Sequence, residues 1–337
     1  MSQRVPFTLG ATGRRTFLKS AAAGAAGFLA SALAGCRASG GGDAGPAEEA
    51  DPMAALRKVD PSLVRWQEVR RIELQSEQLP AFAIDESDIL LVCGDRRVQC
   101  LGPDGREVAV LDPGGEPQCI ATSADTVFVG LLDRVVVLGR DGARRAEWGP
   151  FGARSHLSAI AATEGLVAVA DSGARLVRLL DGKSERTLGA KDETRSYPGI
   201  VAPSPHVDVA WSRDGLLLVT NPGRHSIETW TRDGAFRSAW GTASSDLAGF
   251  CGCCNPTDIA LLADGSVVTA EKGIPRVKVY GADGAFREVV AAPDAFDSAT
   301  NGLDLAVNRA GEIAVLDERA RAVRWFRPRE EGAKANG

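Results

Sequence analysis

The chain of 337 residues is poor in the side chains that most often carry chemistry, with two tyrosines, two methionines and three histidines. Three scattered histidines at these separations compose no recognisable Ser/His/Asp or Cys/His relay. A basic field is missing too. With 39 Lys and Arg against 44 Asp and Glu the net charge is -5, and the arginines recur at regular intervals. Such a surface excludes the phosphate backbone of nucleic acid as a partner. No apolar run reaches the roughly 20 residues that a spanning helix needs. Glycine, by contrast, is abundant at 38 residues, and Asp-Gly pairs are frequent. Many short strands joined by tight turns are expected, and the class is all-β.

The amino terminus reads as an address. Gly13-Arg14-Arg15-Thr16-Phe17-Leu18-Lys19 precedes an Ala/Gly-rich run from Ser20 to Ala34, which ends in Leu33-Ala34-Gly35-Cys36. The first motif resembles the twin-arginine export signal and the last resembles the lipobox of bacterial lipoproteins. The resemblance implies that residues 1–35 are a signal peptide and that Cys36 is lipidated. It makes the membrane a partner through a lipid anchor and the periplasmic side of the cell envelope the location. Residues 36–62 would be a flexible tether, 63–328 the folded body and 329–337 a disordered tail.

From Leu79 onward one pattern recurs: an apolar inner strand, a turn, a second apolar strand, an Arg-headed third strand, Asp-Gly and a fourth strand. Anchors at Ile84, Ile120, Ile160, Val209, Ile259 and Leu305 mark six copies. Their spacing suits a four-stranded propeller blade. The sixth copy ends after three strands, near Arg327, whereas Trp66 to Leu74 is a strand without a blade. That strand is expected to supply the missing outer position and close the ring, giving a monomer without free edges. The strand-head arginines and turns, as in Arg276 to Gly284, and the inner strands, as in Asp258 to Gly265, resemble the NHL-repeat six-bladed β-propellers.

A repeat separates scaffold from exception. Arg97, Arg134, Arg175, Arg276 and Arg321 open third strands in five blades and read as structural. One residue before each anchor, at the channel, stand Ala83, Cys119, Ala159, Asp208, Asp258 and Asp304. The three aspartates either bind a cation or cap main-chain amides, and both readings stay open. Glu116, His156, Asn255 and Asn301 lie four positions before their anchors. With His206, Asn221 and Glu271 they are expected on the same face of the ring.

Cys251-Gly252-Cys253-Cys254 falls between the fourth and fifth blades, on that face. Cys251, Cys253 and Cys254, completed by Cys119 and His206, are candidate ligands for a soft metal ion or an iron-sulfur cluster. Structural disulfides are the competing reading, since six cysteines remain once Cys36 is set aside. The Gly-Cys-Cys-Asn-Pro segment resembles an exported bacterial NHL subfamily associated with redox or metal contexts. That resemblance implies electron transfer, metal handling or assembly of a redox complex, with an exported or membrane redox protein as partner. Propellers similar to gluconolactonases imply an alternative, a metal-dependent hydrolase or lyase using Asp208, Asp258, Asp304, Asn255, Asn301 and Glu116. A plain interaction platform with structural disulfides is a third.

Overall fold

The computed structural model describes residues 54–330, and within them the strands assemble into six antiparallel sheets of four. Blade I runs from Phe82–Ile84 to Glu107–Leu111, blade II from Cys119–Ser123 to Arg144–Trp148, and blade III from Leu157–Thr163 to Glu185–Leu188. Blade IV runs from Val209–Trp211 to Phe236–Trp240, and blade V from Asp258–Leu261 to Phe286–Ala291. Blade VI takes Leu303–Val307, Ile313–Asp317 and Ala322–Pro328 from the end of the chain, and Trp66–Glu73 from its beginning. The chain is a six-bladed β-propeller.

The expected closure is therefore present. Trp66–Glu73 pairs antiparallel with Ala322–Pro328, from Trp66 opposite Pro328 to Glu73 opposite Ala322. Trp66, Ile72 and Leu74 are buried by this pairing. At roughly 1.5–3 kcal/mol for each large apolar side chain, the seam is a sizeable share of a typical folding free energy. Preceding it, Ala54–Arg57 forms one helical turn and Pro61–Leu63 a 3-10 turn. Thus the end of the stretch expected to be tether has local structure. Residues 1–53, including Arg14, Arg15 and Cys36, and residues 331–337 lie outside the described residues. No described helix is long and apolar enough to cross a membrane.

Six apolar clusters fill the gaps between neighbouring blades, one at each junction around the ring. Middle strands are buried on both faces, which is why Leu90–Gly94, Val135–Gly139 and Ile313–Asp317 read as continuous apolar runs rather than alternating ones.

One register expectation is corrected. In blade I the residue equivalent to Ile259 and Leu305 is Phe82, two positions before Ile84. The amide of Phe82 donates to Asp304 as that of Leu305 does to Asp258 and that of Ile259 does to Asp208. The channel residue of blade I is accordingly Ala81, not Ala83. A slip of two keeps the same face inward, so the hydrophobic pattern alone does not detect it.

Candidate functional site

Asp208, Asp258 and Asp304 stand at the starts of the inner strands of blades IV, V and VI, just before the first, at the first and at the second residue respectively. Each reaches across to the next blade: Asp208 Oδ2 accepts from the Ile259 amide at 2.7 Å, Asp258 Oδ1 from Leu305 at 3.0 Å, and Asp304 Oδ2 from Phe82 at 2.8 Å. Asp208 Oδ1 also accepts from Val209 at 2.7 Å, and Asp304 Oδ1 from Leu305 at 2.9 Å. The aspartates are caps that stitch one blade to the next around half the ring. Burial, with the field of Asp304, pushes Asp208 up to about 8, and burial raises Asp304 to about 6. Asp258 is raised well above the usual carboxyl range by burial and then by both neighbouring acids, and it shares its proton with Asp304.

These residues line a central cavity of about 420 Å³, which also takes in Cys119, His156, Pro205, His206, Thr257 and Asn301. His206 is held neutral, lowered to about 4 by burial and then by the positive fields of Lys272 and His156. A methyl group added at Gly302 would stand 3.3 Å from its Cε1, so the imidazole packs closely on that glycine. Glu116 is not in the cavity. It is exposed and pairs at 3.4 Å with Arg96.

A second set of polar residues fixes the loops between blades. In blades III, V and VI an acid ending the second strand pairs with a base seven residues later on the third: Asp171 with Arg178, Glu271 with Lys278 and Asp317 with Arg324. In blade IV Asn221 donates to Glu228 at 2.7 Å in the same arrangement. Each pair also grips an incoming loop, through the amides of His156, Val201 and Cys251 or the carbonyl of Ala295. Asn221 and Glu271, expected as ligand contacts, are thus engaged in loop fixation. Of the five strand-opening arginines, only Arg276 is buried, on Glu271 at 2.8 Å. The scaffold cations missed by the sequence reading are Arg178, Lys278 and Arg324. Their seven-residue separation from an acid is the signal that would have found them.

The cysteine loop is held from both ends. The Cys251 amide donates to Glu271 at 3.1 Å, while Lys278 Nζ donates to the carbonyls of Leu247 at 2.9 Å and Gly249 at 2.7 Å. On the far side Asn255 Nδ2 donates to the carbonyls of Cys251 and Lys272, and its Oδ1 accepts from the Lys272 amide at 2.9 Å. Asn255 is a staple whose polar atoms are all used. Gly252 takes φ +82°, a conformation that suits glycine, and its carbonyl meets His225 Nε2.

Cys253 Sγ and Cys254 Sγ lie 3.0 Å apart. Cys253 is exposed, Cys251 half-buried and Cys254 buried. Burial opposes ionisation of Cys254, but the contact with Cys253 and the nearby Lys272 charge outweigh it and lower the thiol. Cys253 is raised because it donates to its neighbour. The remaining thiols differ. Burial raises Cys100 to about 11 and pushes Cys93 and Cys119 well above the usual thiol range.

The loop contacts Lys272 and His225, but its cysteines do not line the cavity that holds Cys119, His206 and Asp258, which they were expected to face. Among the described residues no group of three or more His, Cys, Asp and Glu side chains is disposed to hold a metal ion. The expected five-member set of Cys251, Cys253, Cys254, Cys119 and His206 is divided between rim and channel. No disulfide links the six described cysteines.

A scan against protein-family models finds no match for the chain, and a search of curated proteins finds none either. Solved structures do match. A streptogramin B lyase structure superposes with a TM-score of 0.57 at 10% identity, covering 79% of this chain and 99% of that one. Virginiamycin B lyase from Staphylococcus aureus gives 0.53 at 13% identity, over 77% of this chain and 99% of its own. A protein of unknown function from Bacteroides thetaiotaomicron VPI-5482 gives 0.53 at 14%, over 78% and 72%. At these identities the likeness is one of fold.

Proposed function

We propose that the chain is an exported propeller, tethered to the cell envelope through Cys36, whose cysteine loop handles a soft metal ion or redox equivalents for an exported or membrane redox protein. One observation carries this reading: two thiols 3.0 Å apart stand on the rim, one of them exposed, while the blade-embedded thiols are buried. Thiolate character and access govern cysteine reactivity; Cys253 supplies the access, and Cys254 beside it is the sulfur shifted toward the thiolate. The channel suits the alternative less well. A lyase or hydrolase reading draws on the cavity with His156 and His206 and on the names of the superposed enzymes. Against it, the aspartates that would hold a hard cation already spend oxygens on main-chain amides.

Elemental analysis and thiol titration of the full chain, purified without oxygen or chelator, test the choice. We expect copper, zinc or iron at stoichiometric level, or a reversible two-electron oxidation, lost in Cys253→Ser and Cys254→Ser. A metal lost on Asp258→Ala but retained in both cysteine variants would favour the channel enzyme. Neither metal nor oxidisable rim thiols would end the proposal. For the location, Cys36→Ala should release the protein from membranes on fractionation.

A further inference from the structure

The distance between the paired sulfurs discriminates among soft centres. With metal-sulfur bonds of about 2.3 Å, a tetrahedral ion holds two sulfurs about 3.8 Å apart and a linear one about 4.6 Å. A pyramidal centre with near-right bond angles and bonds of that same length, about 2.3 Å, asks for about 3.2 Å. A disulfide requires about 2.05 Å. The 3.0 Å between Cys253 Sγ and Cys254 Sγ falls closest to the pyramidal case. Neighbouring groups hold the loop near this geometry: Cys251 is bonded through its amide to Glu271, and Asn255 is stapled to Lys272.

We propose that Cys253 and Cys254 form a chelating dithiol for trivalent thiophilic centres of the arsenite and organoarsenical class. This rests on the soft-ion reading above and narrows it. In the reaction, two As–S bonds form and two As–O bonds of an R–As(OH)2 species break. The two thiol protons leave with the two hydroxides as water, and arsenic stays trivalent. No oxidant or reductant is required. The exposed Cys253 meets the probe first, and Cys254, 3.0 Å away, closes the ring. Cys93, Cys100 and Cys119 take no part, being buried within blades or at the channel.

The test uses the full chain, reduced and desalted under argon, with phenylarsine oxide as probe and intact mass spectrometry as readout. One adduct per chain is expected, reversed by 2,3-dimercaptopropanol and kept in Cys251→Ser and Cys93→Ser. Cys253→Ser and Cys254→Ser should each lose affinity by about a hundredfold or more, because the second bond is no longer intramolecular. Circular dichroism confirms that each variant is folded, and Cys253→Ser changes only an exposed side chain. No wild-type adduct, an adduct persisting in both single variants, or loss in Cys251→Ser as well would overturn the two-sulfur assignment. A parallel Cu(I) titration separates the two levels. Copper binding by the loop without arsenical binding defeats this inference alone, and binding of neither, with no reversible two-electron oxidation of the pair, defeats the broader reading with it.

Discussion

Glu271 offers the sharpest test of how the cysteine loop is held. It is 1% exposed and faces two buried cations: Oε1 lies 2.8 Å from Arg276 and 2.7 Å from Lys278, and Oε2 takes the Cys251 amide. Glu271→Gln keeps the shape and removes the charge, leaving two cations in the interior without a counter-ion. Removing one partner of a buried pair costs about 3–5 kcal/mol. For a ring of this size that is roughly 5–9 °C in the thermal midpoint.

The pH dependence distinguishes this cause from lost packing. Lys278 is lowered from 10.5 to about 8, chiefly by burial, and the Glu271 charge pulls it back up. A depressed lysine contributes stability that is present above its ordinary value and lost as pH falls through its folded one. Without Glu271 the folded value drops further, so the variant begins to recover at lower pH than the wild type does. Urea denaturation should therefore show a larger deficit at pH 6 than at pH 8, with Lys278→Met restoring part of it in the Glu271→Gln background. Hydrogen exchange at the Cys251 amide should accelerate. A deficit under about 1 kcal/mol, or one that is flat with pH, would refute the buried-charge account.

Other consequences are measurable. Asp208 and Asp304 are raised to about 8 and about 6, so their contribution is complete below about pH 4 and is lost as pH climbs through those values. The urea midpoint should fall between pH 5 and 8, and Asp208→Asn should flatten the upper part of that fall. Trp66 is 4% exposed and donates through Nε1 to Glu288 at 2.7 Å. Trp66→Ala should cost about 3–5 kcal/mol by opening the closing seam, read from denaturation midpoints. In a native titration with a thiol reagent, Cys93, Cys100 and Cys119 should stay silent until denaturant is added, whereas Cys253 reacts at once. A fast phase surviving in Cys253→Ser with Cys251 also blocked would count against the assigned exposures.

The ring could be read from the sequence because its signal repeats, and so could the closing strand, since three strands at the end and one at the start leave a single economical pairing. The register of blade I could not. Strand pairing has a period of two, so Phe82 and Ile84 point the same way, and only the bond from the Phe82 amide to Asp304 distinguishes them. The aspartates show the same limit from another side. Their place at the channel was visible, but their partners are main-chain amides of the next blade, which carry no residue identity to read. The buried acid-base pairs went unseen because the arginines that open strands are conspicuous, whereas Arg178, Lys278 and Arg324 sit inside apolar strands where a charge reads as an interruption.

The scaffold pairs also explain what is left over in the cysteine loop. Glu271 uses the amide of Cys251, Lys278 uses the carbonyls just before it, and Asn255 closes the far end. Most of the polar devices that fix this connection are thus spent on the flanks, while Gly252 supplies the turn between them and its carbonyl meets His225. In blade III the same device grips the amide of His156, a residue that goes on to line the cavity. In blade V it grips the residue before a glycine and two thiols. Fixing the ends of a loop restricts its middle to few conformations, which is the requirement for two sulfurs to meet at a set distance. The loop fixation and the thiol pair are therefore one construction, and disturbing Glu271 should loosen the sulfur geometry as well as the fold.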